Sequence, residues 1–221
     1  MTKGGLTKHL RSCDKRQKAI ALANAGKGKD ETIFHLQVWD AWATDFWLHL
    51  EMRSSATLKN LDNYLRAIWL ECCGHLSAFH IGPYRYTQIF DDGWGMDDAK
   101  PMDIQVKRLF SPGMKIPYEY DFGTTSELVI HVVDARQGRA LTANPIVLMA
   151  RNLQPEVTCM ECDQPGEWLC IECLYEYDEP GFLCDEHADE HPHDNYGEPV
   201  PVVNSPRVGL CGYEGPADPP Y

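Results

Sequence analysis

Eight cysteines and histidines crowd into residues 159–193, and their spacing limits what that part of the chain can become. Written out, it is Cys159-x2-Cys162-x7-Cys170-x2-Cys173-x10-Cys184-x2-His187-x3-His191-x1-His193. A C-x2-C pair sets two thiolates on one ion without strain, and zinc takes four such soft or borderline ligands in a tetrahedron. The apolar side chains nearby are few: Trp168, Leu169, Ile171, Leu174, Tyr175, Tyr177, Phe182 and Leu183. So small a core does not fold alone. In isolated fingers, bound zinc supplies roughly 10–16 kcal/mol of folding energy. The spacing therefore predicts a metal-stabilised module over 154–198 holding about two zinc ions. Eight donors for two ions leave no open position of the kind a catalytic zinc keeps for water or substrate, so the ions are expected to be structural.

The segment resembles the B-box family of cross-brace zinc modules, in which ligand pairs interleave. That resemblance implies one site of Cys159, Cys162, Cys184 and His187 and another of Cys170, Cys173, His191 and His193. The single residue between His191 and His193 is tighter than usual for the family, and Asp189 or Asp194 is the alternative ligand there.

Charge divides the chain. The net charge is −13. Residues 1–30 hold eight Lys/Arg against two acids, whereas residues 154–221 hold sixteen acids against Arg207 alone. Phosphate backbones are disfavoured by the acidic end, so any nucleic-acid binding is expected within residues 1–20, on Lys3, Lys8, Arg11, Lys15, Arg16 and Lys18. Nine cysteines without a recognisable apolar leader point to a reducing compartment and metal rather than disulfides, so a cytoplasmic location is expected. No run of about 20 apolar residues exists, which excludes a helical membrane span.

Within residues 1–30, Leu6-x2-His9-x3-Cys13 looks like the second half of a C-C-H-C zinc finger without its first knuckle, followed by the linker "NAGKGKD". The plainer reading is a basic helix, frayed and solvated. From Ile33 onward, alternation of Phe34, Leu36 and Val38, then of Phe46, Leu48, Leu50 and Met52, predicts a hairpin. Leu58, Leu61, Leu65, Ile68, Trp69 and Cys72 recur at helical spacing, with Ser55 or Thr57 as N-cap and Gly74 as stop. Strand-like segments follow near 77–90, 104–110, 116–122, 127–133 and 145–150, interrupted by "DDGWGMDDAKP". One main helix on a mostly antiparallel sheet gives an α+β domain over 31–153, then the zinc module, then a Pro/Gly-rich tail over 199–221.

The stretches "SSATLKNLDNYLRAIWLECCGHLSAF" and "YEYDFG" resemble the plasmid pRi open-reading-frame-three-like family, whose members are often labelled insertion-element passenger proteins of TnpR type. The tail "NSPRVGLCGYEG" resembles a zinc-bearing branch of it. The chain departs from the family pattern at Thr124 and Thr125, where Asp is common, and lacks the tryptophan that follows. The resemblance implies the α+β fold and a mobile-element origin, and no firm activity.

Cys72-Cys73-Gly74-His75 places a thiol beside an imidazole, with His80 and His131 as possible companions, so a Cys/His hydrolase is one alternative. Against it, Cys72 fits the apolar stripe of the helix, where it is expected to be buried, with a raised pKa and inert. The pairs Asp91-Asp92 and Asp97-Asp98 read as a solvated acidic loop. The function expected from the residues is a non-enzymatic zinc-binding protein that docks a protein partner. The alternative is a nucleic-acid-associated factor of a mobile element using the basic N-terminus.

Overall fold

The computed structural model describes residues 3–88, 99–193 and 195–221. The acidic pairs at 91–92 and 97–98 and the alternative ligand Asp194 lie outside these described residues. Two helices open the chain, α1 (Lys3–Ser12) and α2 (Asp14–Ala25). The predicted hairpin follows as β1 (Glu31–Asp40) and β2 (Trp47–Arg53), in antiparallel register from Ile33↔Arg53 to Trp39↔Trp47. Asp40 Oδ1 accepts from the backbone N–H groups of Trp42 and Ala43, which fixes the connecting turn.

Helix α3 (Leu58–Leu65) starts at Thr57 in a capping box with Asn60, each side chain accepting from the other's backbone N–H. Next come β3 (Ser77–Ile81), β4 (Tyr84–Thr87), β5 (Ala99–Pro101), β6 (Lys115–Tyr120), β7 (Ser126–Gly138) and β8 (Ile146–Arg151). They form one eight-stranded sheet in the order β5-β4-β3-β6-β7-β1-β2-β8, antiparallel except for β4–β5. The fold is α+β, as the alternation predicts.

The period of two along β1 serves both faces. Phe34, Leu36 and Val38 join the main core, which includes Leu58, Leu61, Leu65, Ile68 and Trp69. On the opposite face Ile33, His35 and Glu51 lie under the N-terminal helices: Leu10 is buried, Arg16 reaches Glu51 at 2.5 Å, and Arg11 pairs with Asp134 at 3.5 Å. The N-terminal segment is thus docked rather than frayed, because the buried Glu51 carboxylate draws in Arg16 as well as Arg136.

Three further elements differ from expectation. The helix turns π-helical over Arg66–Leu70, where Glu71 N–H bonds back to Arg66 O. Segment 104–110 is not a strand: it carries a 3-10 turn at Val106–Arg108, because its backbone bonds to residues 54–58 at the start of α3 instead of to the sheet. Where the sequence predicts one strand-like segment near 77–90, the described residues form the hairpin β3–β4, turning at Gly82, whose φ of +59° suits glycine.

Past residue 154 come β9 (Trp168–Leu169), α4 (Ile171–Glu176), β10 (Phe182–Leu183), α5 (Asp185–Asp189) and β11 (Val200–Pro201), with the three strands forming a small sheet in the order β10-β9-β11. The chain then returns to the main domain. Ser205 Oγ donates to Trp69 O, Trp69 Nε1 donates to Asn204 O, and Arg207 and Tyr213 are fully buried.

Candidate metal centres

Each ligand pair is set by a short local structure. Cys159 and Cys162 lie in a turn closed by Cys159 N–H to Gln164 O and Gly166 N–H to Val157 O. Cys170 is the N-cap of α4, and its sulfur accepts from the N–H of Cys173. Cys184 is the N-cap of α5, so His187, three residues on, comes round to the same side. Gly181, at φ +69°, lets the connecting loop run against Cys170 O, where an added Cβ would come within 2.6 Å.

These local structures bring together two groups of four donors: Cys159, Cys162, Cys184 and His187, and Cys170, Cys173, His191 and His193. Donor separations are 3.5 Å for Cys159 Sγ to His187 Nδ1, 3.8 Å for Cys162 Sγ to Cys184 Sγ and 3.2 Å for Cys184 Sγ to His187 Nδ1. In the second group Cys173 Sγ lies 3.2 Å from both His191 Nε2 and His193 Nδ1, and the two imidazole nitrogens are 3.1 Å apart. Tetrahedral zinc with Zn–S near 2.3 Å and Zn–N near 2.0–2.1 Å has edges of roughly 3.3–3.8 Å. The separations here lie in or slightly under that range, so both groups could hold a metal ion of that size with a small outward shift of the donors. The His191 and His193 rings meet edge to face, and Tyr177 stacks on His193 at 4.7 Å.

In the first group the electrostatics single out Cys159 as the metal-ready thiol, while against the pull of the Gln164 N–H the neighbouring Cys159 and Cys184 hold Cys162 up. Burial pushes the Cys159 thiol up, but the N–H groups of Cys184, Glu161 and Cys162 point at the sulfur and bring it down to about 6. In the second group burial, reinforced by Cys170, holds Cys173 up at about 12. A cation at the centre would reverse that. The buried cluster here consists of Cys159, Cys170, Cys173, Leu183 and Cys184, so the donors themselves form most of the core.

A third group of four was not foreseen. Cys72, Cys73 and His75, at the end of the α3 segment, meet Cys211 from the tail. The first three read in sequence as a nucleophile site, and nothing local links them to a cysteine 136 residues beyond His75. The only clue was the resemblance of "NSPRVGLCGYEG" to a zinc-bearing branch. Here the expectation for Cys72 is corrected. It is half-buried, and although burial pushes its thiol up, Arg207 at 3.5 Å and the Tyr120 hydroxyl at 3.8 Å outweigh that and hold it below the usual thiol range. Cys73 is exposed, and its thiol is held up at about 11 by Cys211 and Cys72. A thiol so raised is a poor nucleophile. His80 pairs with Glu119 and His131 packs against Trp39, so neither joins the group. Among the described residues, no donor group includes His9 or Cys13.

The "YEYDFG" residues organise this region. Tyr118 donates to the buried Asp62, Tyr120 to Glu71, and Asp121 accepts from Arg207.

The class is thus an α+β protein built on one large sheet, with two Cys/His donor groups in the chain that follows it and a third shared between the end of the α3 segment and the tail. The family described as plasmid pRiA4b ORF-3-like protein matches residues 34–165, more than half of the chain, and the chain belongs to it. Among solved structures, a protein of unknown function from Methanosarcina mazei Go1 is similar at 15% identity and a TM-score of 0.47, covering 55% of this chain and 69% of that one. No curated protein matches the chain. Among the described residues no helix is long and apolar enough to cross a membrane.

Proposed function

We propose that this is a non-enzymatic protein-docking factor, in which the sheet domain is the body and a B-box-like zinc module over 154–198 carries the recognition surface. The observation that supports this most is the pairing of two closed four-donor groups with an exposed acidic, aromatic face on the same module. Closed groups stabilise and do not catalyse. Tyr175, Tyr177 and Tyr196 are 47%, 54% and 47% exposed. Tyr175 and Tyr196 stack at 6.3 Å, and a cleft of about 450 Å³ is lined by Glu172, Glu176, Tyr177, Asn195 and Tyr196. Aromatic rings beside carboxylates suit a Lys- or Arg-bearing segment of a partner protein.

The test is affinity purification from nuclease-treated extract with the wild type and with Tyr175→Ala/Glu176→Lys, neither position being a metal donor. A partner retained after nuclease and lost in the variant, at unchanged zinc content, is expected. Partners that vanish with nuclease alone would favour the nucleic-acid reading, for which the exposed Lys8, Lys15 and Lys18 speak.

A further inference from the structure

We propose that Cys72, Cys73, His75 and Cys211 bind a third zinc ion, which fastens the C-terminal tail to the end of the α3 segment. The four donor atoms lie within 4.8 Å of one another. Cys73 Sγ is 3.8 Å from Cys72 Sγ and 3.8 Å from Cys211 Sγ, and it is 3.0 Å from His75 Nε2, which is itself 3.4 Å from Cys211 Sγ. The S···S separations match the roughly 3.8 Å edge of a thiolate–zinc tetrahedron; of the S···N separations, 3.4 Å lies close to the roughly 3.5 Å edge and 3.0 Å asks the His75 ring to swing outward slightly. Three thiolates and one imidazole are a common closed set for zinc.

The backbone is shaped to aim these side chains. Gly74, at φ +83°, turns the chain between Cys73 and His75 so that both face the tail. Cys211 is itself left-handed at φ +51°, a conformation that costs a non-glycine residue energy and so needs support from its surroundings.

Neighbouring groups stand where outer-sphere partners of such an ion belong. Arg207 Nη2 donates to Cys72 Sγ at 3.5 Å, which stabilises a thiolate and offsets the excess negative charge of three sulfurs on one divalent ion. Glu71 accepts from the N–H of Gly74 at 2.6 Å and from Tyr120 OH, holding the donor loop in place. His75 Nε2 has a competing partner in Asp121 Oδ2 at 3.4 Å, but that oxygen is already bound by Arg207 at 2.7 Å. Loading the ion releases the thiol protons to solvent.

None of the four donors lies within 154–198, and the tail that brings Cys211 is anchored to the sheet domain through Ser205 and Arg207. Losing the ion should therefore leave the chain folded.

The test uses full-length protein purified without chelator, with metal counted by mass spectrometry. Three zinc ions per chain are expected in the wild type, and two in Cys211→Ser and in Cys73→Ser. Two in the wild type and two in both variants overturns the proposal. A fall from two to one supports this site and instead removes one of the two assigned to the module.

Alkylation of the native wild type gives an answer that needs no variant. Cys73 and Cys211 are exposed, so burial cannot shield them. Slow labelling of Cys211 that becomes fast on adding chelator is expected. Fast labelling from the start, or protection lifted by reductant but not by chelator, overturns the proposal.

Discussion

A guanidinium without exposed surface must find its counter-charge and its acceptors inside the fold, and Arg207 finds both. It donates to Asp121 Oδ2 at 2.7 Å, to Thr124 O at 3.0 Å and to Ser126 Oγ at 2.9 Å, with the Tyr120 ring 4.8 Å away. Removing one member of a buried ion pair strands the other, at a cost of about 3–5 kcal/mol. Arg207→Met is expected to lose about that much stability in urea denaturation, and adding Asp121→Asn should restore part of it. A second pair makes a prediction about acid. His35 Nε2 and His49 Nδ1 share one hydrogen bond at 2.8 Å, and burial holds both imidazoles at about 4. Between about pH 6.5 and 4 the unfolded chain takes up protons that the folded chain refuses, so stability is full above about 6.5 and falls as pH drops through that window. The slope is up to about 1.4 kcal/mol per pH unit for each ring. Urea titrations from pH 7.5 down to 4.5 should show a shallower decline for His49→Leu than for the wild type. The candidate metal donors are the same in both, so the difference reports the pair.

At the scale of elements, the most separable unit is the stretch from Cys159 to His193, whose own apolar core is slight. Chelation is expected to abolish amide protection over 159–193 while β1, β2 and β7 keep theirs, as followed by hydrogen exchange. Residues 204–213 should remain protected as well, since their contacts run to Trp69, Thr124 and Ser126 of the main domain. Simultaneous loss of protection in the sheet would show that the module and the domain fold as one unit. What could be read from sequence follows the range of the interaction behind it. The hairpin and the helix start were legible because alternation, 3.6-residue spacing and the Thr57 cap are local signals. The C-x2-C pairs were legible because a knuckle is a few residues long. Segment 104–110 misled because its apolar residues do join the core while its backbone bonds to residues 54–58 instead of to the sheet. The Cys72–Cys211 meeting was invisible because no local pattern records which loop a tail returns to.

At the scale of the molecule, charge disfavours nucleic acid at the acidic end, and the basic start of the chain is where such a contact is expected. Residues 154–221 hold sixteen acids against Arg207, and Arg207 is buried. Of the basic residues near the start, Arg16 is turned inward to Glu51 and Arg11 is paired with Asp134, whereas Lys8, Lys15 and Lys18 remain exposed. About three phosphate contacts imply a salt dependence with a log–log slope near −3 on duplex DNA, far shallower than that of a dedicated binder. Lys8→Glu/Lys15→Glu/Lys18→Glu should therefore abolish whatever low-salt binding to a random duplex the wild type shows. Stability should change little, since exposed substitutions of this kind usually fall within about 0.5 kcal/mol each. Fluorescence anisotropy from 20 to 200 mM salt measures the binding and its slope, and urea denaturation measures the stability. A slope much steeper than −3, or binding that persists in the triple variant, would place the nucleic-acid contact elsewhere on the molecule and move that reading ahead of protein docking. A variant that loses low-salt DNA binding yet keeps its protein partner is the outcome expected of a molecule that recognises through its acidic end.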